Sequence, residues 1–358
     1  MVEVMVIGAT GVVGQQFLVA LADHPWFHVA KLVASPRSAG KRYVDAIRDR
    51  ATGSIRWYCD EPLPEQFREI VVESFREELL DDVDLVFTAV ESDVAREIEP
   101  KIAEKKPVIS TASAFRYEED VPLIIPGVNH DHAPLIERQR QNRGWKGFIA
   151  PIPNCTTTGL AISLKPIMDA FGLKIVLMTS LQALSGAGRS PGVIGLDILD
   201  NVIPYIPKEE EKVQKETLKI LGNYAGDHVK PARFKVSCTC TRVNVRDGHT
   251  ECVFLSTEKN ATVDEVKNVL RGFRGCSDMG LPSAPRRMIV VHEDPFRPQP
   301  RLDRNTEDGM ATVVGRVRKD PALENGIKYV LLSHNTKMGA AKGAVLLAEL
   351  LYKEGYIC

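Results

Sequence analysis

Apolar residues in the first third of the chain occur in short runs that alternate with stretches of helical periodicity. The opening run, residues 2–7, is followed by a glycine-rich turn and by a helical pattern that continues to residue 22. Because strands that alternate with helices form parallel βαβ units, this order predicts an α/β fold with a doubly wound sheet. The other elements predicted here are strands at 29–34, 84–90 and 107–110 and a helix at 93–104.

The pattern changes after about residue 150, where longer strands and amphipathic helices appear. Residues 233–245 and 249–257 predict two long strands, and Arg246-Asp247-Gly248 between them is typical of a hairpin turn. We therefore expect an α+β domain with an antiparallel sheet. The other predicted elements are strands at 172–184, 312–317 and 329–333 and helices at 157–171, 208–221, 263–273 and 337–353.

A chain of 358 residues is long enough for two domains. We expect the first to comprise residues 1–152, completed by 336–358, and the second to comprise residues 153–335. The long strands within 233–257 need cover on a second face, which a twin subunit would supply. We therefore expect a homodimer or a homotetramer.

Composition excludes several classes of partner. Lys and Arg number 46 and Asp and Glu 47, for a formal net charge of −1, so no charged surface for nucleic acid or an anionic membrane is expected. No apolar run reaches the length of about 18 residues that a membrane span needs. The 7 cysteines are irregularly spaced and the first residues do not resemble an export signal. We expect reduced thiols, a cytoplasmic location and no metal site.

A glycine loop between the first strand and the first helix indicates a nucleotide site. Gly8, Gly11 and Gly14 have the spacing GxxGxxG. Glycines in this context allow a tight turn and let backbone N–H groups approach a pyrophosphate at a helix N-terminus. The alternative is an ordinary strand–helix turn without a ligand.

The end of the second predicted strand favours NADP over NAD. An NAD site usually carries a carboxylate here, which binds the ribose hydroxyl groups. The chain instead has Ser35, Arg37 and Ser38, a guanidinium and two hydroxyls that suit a 2′-phosphate. The alternative is a solvated basic loop.

Cys155 follows two prolines, Pro151 and Pro153, and directly precedes a helical pattern. A thiol near a helix N-terminus has a lowered pKa, because the helix dipole and free N–H groups stabilise the thiolate. Cys155 is therefore a candidate nucleophile, and a buried structural cysteine is the alternative.

Other candidates are weaker when each is taken alone. Ser185-Gly186 begins a glycine-rich strand end, a usual place for a ligand. His249 follows the Asp-Gly turn and could serve as a catalytic base, although a single histidine is more often structural. Arg242 lies in a predicted strand, where a guanidinium needs an anion. The acidic start of the helix at Glu209 is by default a solvated end that complements the dipole.

Together these segments resemble aspartate-semialdehyde dehydrogenases over nearly the whole chain. The most specific part is Pro153-Asn-Cys155 followed by the Gln-Ala-Leu-Ser-Gly-Ala-Gly segment at 182–188. Residues 203–207 and a long helix around Asp197 resemble the archaeal and fungal branch. The other matching segments are 8–14, 34–41, 209–212, 241–243 with 249, and 333–341.

The resemblance implies a role for each matching residue. Cys155 would be the nucleophile, His249 the acid/base and Gln182 the residue that positions the acyl intermediate. The fold implied is a Rossmann-like NADP-binding domain with a catalytic and dimerisation domain. The family's Ala-Arg-Ser segment at the 2′-phosphate is Pro36-Arg37-Ser38 here, which retains the arginine. Substrate would be held by Arg242 at its α-carboxylate, Glu209 at its amino group, Arg116 and Lys212 at its phosphate, and Asn154 beside the cysteine. NADP would be held by Gly8, Thr10, Gly11, Val12, Val13, Gly14, Ser35, Arg37, Ser38, Ser185, Gly186 and Asn335.

The reaction implied is the NADP-dependent reductive dephosphorylation of L-4-aspartyl phosphate to L-aspartate 4-semialdehyde and phosphate through a cysteine thioester, in lysine, threonine and methionine biosynthesis. One alternative is a malonyl-CoA or succinyl-CoA reductase of the same fold, although Asn154 and Thr157-Thr158 favour the aspartyl enzyme. A second alternative is a non-catalytic NADP-binding sensor, which the joint presence of Cys155, Gln182 and His249 disfavours.

Overall fold

Two sheets of different kinds organise the chain. The structure is a computed structural model that describes residues 1–188, 193 and 195–358. Unit 1 comprises Met1–Pro122, Ala133–Ile152 and Ala341–Cys358, and unit 2 comprises Leu123–His132 and Pro153–Ala340. Residues 123–132 and 336–340 therefore group with unit 2, whereas the sequence assigned them to the first domain.

Unit 1 contains a parallel sheet of the predicted doubly wound type. Within the described residues it has five strands in the order β2-β1-β3-β4-β5, and every pairing is parallel. The predicted α/β fold is confirmed. The strands are β1 Val2–Ile7, β2 Phe27–Val33, β3 Leu85–Thr88, β4 Val108–Ser110 and β5 Ile149–Pro151, and the helices are α1 Val12–Leu21, α2 Tyr43–Ala46, α3 Ser92–Ala103 and α4 Leu135–Arg143.

The last helix of the chain completes unit 1. Helix α10, Ala341–Lys353, is largely buried and packs against α1 and β4. Its Glu349 carboxylate lies 2.8 Å from Nε2 of His24, and both groups are buried. Because an unpaired buried carboxylate is costly, this contact also fixes how α10 docks.

Unit 2 is built on a six-stranded mixed sheet, as far as the chain is described. The order is β11-β12-β13-β10-β6-β9, with parallel pairs at β6–β9 and β11–β12. The strands are β6 Ile175–Gln182, β7 Asn223–Tyr224, β8 Val229–Lys230, β9 Lys235–Arg242, β10 His249–Ser256, β11 Ile289–Val291, β12 Thr312–Lys319 and β13 Gly326–Ser333, of which β7 and β8 form a separate pair. The helices are α5 Cys155–Phe171, α6 Gly195–Ile198, α7 Glu209–Ile220, α8 Val263–Gly272 and α9 Pro300–Asp303.

The predicted hairpin between the two long strands is wrong. Strands β9 and β10 do not pair with each other, because β6 lies between them, parallel to β9 and antiparallel to β10. The segment that joins them instead accepts hydrogen bonds from the loop after β6: the N–H of Leu184 donates to Val245 and that of Ser185 to Arg246. Gly248 has φ +97°, the left-handed conformation that a tight Asp-Gly turn requires. The turn nevertheless joins two strands that are not paired with each other. The prediction of a purely antiparallel sheet fails for the same reason.

Two helix predictions also need correction. Among the described residues, the helix around Asp197 covers Gly195–Ile198, a single turn rather than a long helix. The last helix begins at Ala341 instead of residue 337. Residues 334–340 form turns in which the N–H of Gly339 donates to the carbonyl of His334.

Helices cover one face of the unit 2 sheet. Helix α5 packs on β10, β12 and β13, and α7 packs on β9. On the opposite face of the sheet, Leu177, Thr179 and Lys235 are exposed. None of the helices in the described residues combines the length and apolar character that crossing a bilayer requires.

Glu99 on α3 is a titratable side chain buried in unit 1. Its carboxylate accepts hydrogen bonds from the hydroxyls of Thr88 (2.5 Å) and Ser110 (2.6 Å) at the ends of β3 and β4. Burial raises the pKa of Glu99 to about 7, although both hydroxyls act in the opposite direction. The folded protein therefore holds a proton here that the unfolded chain releases above about pH 4.5.

We predict that this proton makes stability fall as pH rises from about 4.5 to 7, since a raised carboxyl pKa favours the folded state only while the group is protonated. Glu99→Gln should remove that loss and become more stable than the unsubstituted protein at pH 8, by about 2–3 kcal/mol. Urea unfolding at pH 5 and pH 8 measures this, with Glu97→Gln on the exposed side of the same helix as control. A parallel pH dependence in all three proteins would contradict the prediction.

Candidate active site

Cys155 is the first residue of α5, the position that favours a thiolate. The helix begins here because Asn154 caps it: the Asn154 side-chain oxygen accepts the N–H groups of Thr156 (2.9 Å) and Thr157 (3.2 Å). Asparagine is among the best N-cap residues, because its carbonyl replaces the partners that the first N–H groups lack. The predicted location of the cysteine at a helix start is confirmed.

His249 is brought to Cys155 by the first residue of β10. Its Nε2 lies 3.2 Å from the Cys155 sulfur, and its Nδ1 accepts the backbone N–H of Ala183 at 3.0 Å. The imidazole is completely buried. That burial lowers the pKa of His249 well below its usual value, and the nearby charges of Arg242 and His334 lower it further. The imidazole is therefore neutral near pH 7.

Gln182 and Arg242 extend the site across the sheet. They are the last residues of β6 and β9 and lie opposite each other in the register of that parallel pair. Both are buried, and Nη1 of Arg242 donates to the carbonyl of Ala183 at 2.7 Å. Burial lowers the pKa of the Arg242 guanidinium, while the nearby thiol of Cys155 opposes that shift. An anion that reaches this guanidinium gains strongly from the pairing, because the charge is poorly solvated.

Helix α7 supplies two buried acids that hold Asn154. One Glu209 oxygen accepts the side-chain amides of Asn154 (2.8 Å) and Gln182 (3.2 Å), and its other oxygen lies 3.7 Å from the ammonium of Lys212. A carboxylate oxygen of Glu216 accepts the backbone N–H of Asn154 at 2.6 Å. The default interpretation of Glu209 as a solvated helix end is therefore wrong.

Glu216 was not among the residues selected from the sequence. It is fully buried and contacts the residue immediately before the candidate nucleophile. A signal was available: Glu216 follows Glu209 by seven residues, which places both on the same face of α7. An acidic residue seven positions after Glu209, which was already a candidate, was therefore the available signal in the sequence.

Two glycines allow other segments to approach the candidate catalytic side chains. A Cβ on Gly186 would lie 2.9 Å from Nη1 of Arg242 and 3.0 Å from Cε1 of His249. A Cβ on Gly339 would lie 2.8 Å from the Cβ of Cys155. Both positions therefore require glycine for packing, since real side chains do not approach so closely.

Ser185 and Asn335 form a second polar cluster in unit 2. The Asn335 amide donates to the Ser185 hydroxyl at 2.7 Å, and its oxygen accepts the N–H of Gly248 at 2.8 Å. These contacts fix the loops that follow β6 and β13 and precede β10. The sequence predicted a cofactor role for Ser185, Gly186 and Asn335, and the structure brings these residues close to His249 or its strand.

The glycine loop of unit 1 has the geometry of a nucleotide cradle. A Cβ on Gly8, whose φ is +85°, would overlap the backbone carbonyl of Ala89, and one on Gly14 would overlap the carbonyl of Gly8. Gly11 is the N-cap of α1, and no side chain caps that helix, which leaves backbone N–H groups available to an anion. Thr10 lies within the loop, and Val12 and Val13 begin α1.

The remaining candidates also belong to unit 1. Ser35, Arg37 and Ser38 follow β2, and Arg37 is exposed, whereas Ser38 is buried. Arg116 is buried and donates from Nη2 to the carbonyl of Thr111 at 3.0 Å. The structure thus gathers Cys155, His249, Gln182, Arg242, Asn154, Glu209 and Lys212 within unit 2, while Arg116, the glycine loop and the 35–38 segment lie in unit 1.

Comparisons with known proteins agree with this geometry. Residues 3–135 match the family model described as semialdehyde dehydrogenase, NAD binding domain, and residues 164–338 match semialdehyde dehydrogenase, dimerisation domain. The aspartate-semialdehyde dehydrogenase of Methanothermobacter thermautotrophicus is 48% identical over 352 residues, which cover 98% of this chain and 99% of that protein. The enzyme of the same name from Saccharomyces cerevisiae is 45% identical over 367 residues, with 98% of each chain covered.

A solved structure extends the similarity to the fold. The crystal structure of aspartate semialdehyde dehydrogenase with NADP from Candida albicans has a TM-score of 0.87 and 41% sequence identity, and the match covers 100% of both chains. Archaeal and fungal relatives thus carry the similarity, which confirms the resemblance seen in the sequence. The chain belongs to the aspartate-semialdehyde dehydrogenase family.

Proposed function

We propose that this chain catalyses the NADP-dependent reductive dephosphorylation of L-4-aspartyl phosphate to L-aspartate 4-semialdehyde. The observation that carries the proposal is the pairing of the Cys155 sulfur with Nε2 of His249 at 3.2 Å, at the start of a capped helix. Membership of the family adds the substrate class. The direct test is NADP⁺ reduction with aspartate semialdehyde plus phosphate, run beside NADPH oxidation with malonyl-CoA. Turnover with malonyl-CoA alone would favour the CoA-reductase alternative, and no turnover with either would favour a sensor.

The chain's part in the reaction begins at Cys155. Its thiolate attacks the acyl carbon of the acyl phosphate, the new C–S bond replaces the C–O bond to phosphate, and the phosphate leaves. The thioester so formed is reduced at the same carbon, after which the C–S bond breaks and the aldehyde and the thiolate are released. Gln182, held next to the cysteine's cap through Glu209, is suited to orient the acyl group.

The charges around Cys155 match an amino acid with an acyl phosphate. Arg242 offers a guanidinium of low solvation to the α-carboxylate, and Glu209 offers a carboxylate to the amino group. Lys212, on the next turn of α7 from Glu209, and Arg116 are proposed to hold the phosphate. The hydrogen bonds of Glu209 also support a positioning role, since the same carboxylate orients Asn154 and Gln182.

The chain's own residues fit NADP. Gly8 and Gly14 let the backbone of the loop pack more closely than a Cβ would allow, as the tight turn of a nucleotide loop requires, and Arg37 with Ser35 and Ser38 offers the groups that a 2′-phosphate requires. The family resemblance also supports Ser185, Gly186 and Asn335 of unit 2 as proposed cofactor-binding residues. When bound, NADPH supplies the hydride that reduces the thioester.

We further propose that the chain is a homodimer, or a dimer of such dimers, in the cytoplasm. The uncovered face of the unit 2 sheet presents Leu177 and Thr179, and the matching family model is described as a dimerisation domain. All seven cysteines, each within the described residues, are free thiols, which suits a reducing compartment. Sedimentation velocity at micromolar concentration tests the oligomer, and cell fractionation tests the location.

We predict that Arg37→Glu weakens NADP binding far more than NAD binding, because it replaces a charge-assisted contact with a repulsion. The expected loss for NADP is about 1.5–3 kcal/mol. Isothermal titration with both cofactors measures it, and Arg138→Glu on the exposed side of α4 is the control. An equal loss for both cofactors would show that Arg37 is only a loop residue.

We predict that Glu209→Gln raises KM for the semialdehyde about tenfold, which corresponds to about 1.4 kcal/mol of lost pairing. The amide keeps an oxygen that can accept from Asn154 or Gln182, so the charge is the main loss. Glu211→Gln, exposed in the same helical turn, is the matched control. Arg242→Leu should be worse, because it leaves a carboxylate unpaired in a closed site. A fall in kcat with unchanged KM would assign Glu209 to positioning alone.

We predict that Cys155 is the first thiol to react with iodoacetamide near neutral pH and that substrate protects it, since the helix start and His249 stabilise its thiolate. Cys155→Ser should retain NADP binding and lose nearly all turnover. Cys358, which is exposed, and Cys59, which is partly exposed, are the controls for simple accessibility. Mass spectrometry identifies the first labelled site, and prior labelling of Cys59 or Cys358 would contradict the mechanism.

A further inference from the structure

Two prolines leave the chain ahead of Cys155 with few backbone donors. Neither Pro151 nor Pro153 carries a backbone N–H. The N–H between them, on Ile152, donates to a carbonyl oxygen of unit 1, to which Ile152 itself belongs. Unit 2 resumes at Pro153, so the first backbone N–H that this segment brings into unit 2 is that of Asn154. The partner of this one donor therefore has a large influence on where the next residue lies.

That partner is the side chain of Glu216 on α7. One of its carboxylate oxygens accepts the Asn154 N–H at 2.6 Å, and Glu216 is fully buried. A hydrogen bond to a carboxylate is about twice as strong as one between neutral groups. A buried backbone N–H that lost this acceptor would be costly to leave unpaired.

Glu216 occupies a place on α7 that an apolar side chain could fill. It shares the buried face of the helix with Val213, Thr217 and Ile220. Helix α7 packs on α5 and β9. Burial of a carboxylate costs free energy of desolvation that burial of a leucine does not. The hydrogen bond with Asn154 offsets part of this cost, and an apolar residue could not make it.

The two acids of α7 hold Asn154 at different points. Glu209 accepts its side-chain amide and also that of Gln182, at the end of the helix that is proposed to meet substrate. Glu216 lies seven residues later, about 10 Å along the helix axis, and accepts the backbone N–H. A change at Glu216 therefore acts on the main chain beside Cys155 and leaves the proposed substrate contacts of Glu209 in place.

We propose that Glu216 is a positioning residue for the nucleophile: its hydrogen bond to Asn154 fixes where α5 begins, and with it where the Cys155 sulfur stands against the acyl carbon. The proposal deepens the proposed function and rests on it. Glu216 acts through Asn154 and makes no bond to substrate. Because a misplacement of about 1 Å at a reacting atom can lower the rate about a hundredfold, turnover should be sensitive to this hydrogen bond.

The charge of Glu216 and its hydrogen bond act on Cys155 in opposite directions. A nearby negative charge disfavours a thiolate. The hydrogen bond favours it, because it keeps the sulfur at the helix start, where the dipole and free N–H groups stabilise the charge. Glu216→Gln separates the two effects, since the amide oxygen still accepts the N–H but carries no charge. Glu216→Leu has a similar volume and removes both.

The first test measures the reactivity of the thiol and needs neither substrate nor cofactor. The rate of iodoacetamide labelling at Cys155 is followed by mass spectrometry between pH 6 and 9. At pH 7 we expect Glu216→Gln to react at least as fast as the unsubstituted protein and Glu216→Leu about tenfold more slowly. Glu211→Leu, exposed on the same helix, is the control and should not change the rate. Equal labelling rates in Glu216→Gln and Glu216→Leu would overturn the proposal.

The second test separates positioning from binding. Steady-state NADP⁺ reduction with aspartate semialdehyde and phosphate should give a kcat for Glu216→Leu about 30–100-fold below that of Glu216→Gln, with KM for the semialdehyde within about threefold. A loss confined to KM would assign Glu216 to substrate binding. An equal fall of kcat in both variants would assign the effect to the charge. Either result contradicts a positioning role.

The outcomes distinguish this proposal from the proposed function. If the protein does not turn over aspartate semialdehyde, the proposed function fails, while the labelling rates of Cys155 still decide whether Glu216 places the thiol. If circular dichroism shows that Glu216→Leu does not fold, Glu216→Asp replaces it, because a side chain shorter by one methylene withdraws the acceptor. Glu216→Asp should then label more slowly and turn over more slowly than Glu216→Gln, and equal rates would refute the proposal.

Discussion

The site depends on how one asparagine is held. Each polar group of Asn154 has a hydrogen-bond partner: its side-chain oxygen caps α5, its side-chain amide donates to Glu209, its backbone N–H donates to Glu216, and its carbonyl accepts from Thr158. Cys155 is the next residue, so the same hydrogen bonds also position its backbone. Since the amide group is anchored at both ends, a rotation that released the cap would also break the contact with Glu209. The backbone position of Cys155 is thus set by hydrogen bonds in which its own side chain takes no part.

The same hydrogen bonds bring negative charge close to Cys155, which we propose to react as a thiolate. Two buried acids of α7 lie next to Asn154, and a third, Glu251, lies on the strand of His249. The structure limits the repulsion in two ways. Burial raises the pKa of Glu251 far above its usual value and keeps it neutral, while Arg242 and Lys212 supply positive charge near Glu209. Neighbouring charge at Cys155 is therefore not dominated by carboxylates, which is compatible with the proposed thiolate.

The sequence predicted the parts of the molecule that depend on local order. The parallel sheet of unit 1 follows from its βαβ alternation, and a helix start close to Cys155 follows from Pro151 and Pro153, whereas the cap by Asn154 became evident only in the structure. Prediction from the sequence failed where an element interacts with a segment that is distant in the chain. The Asp-Gly turn before His249 contains the left-handed glycine that a hairpin needs, yet tertiary pairing inserts β6 between β9 and β10. Glu216 was missed because its importance comes from the segment it meets and not from its neighbours in sequence.

The position of β6 has a consequence for how unit 2 is synthesised. Strand β10 has two neighbours: β6, already made, and β13, which follows it by some seventy residues of chain and begins at Gly326. During translation, β10 can pair on one side while its other edge, including the backbone of His249, lacks a partner until β13 emerges. Open strand edges bind other chains readily. The nascent chain should therefore depend most on chaperones in the interval between completion of β10 and completion of β13, when His249 has been made but is not yet enclosed.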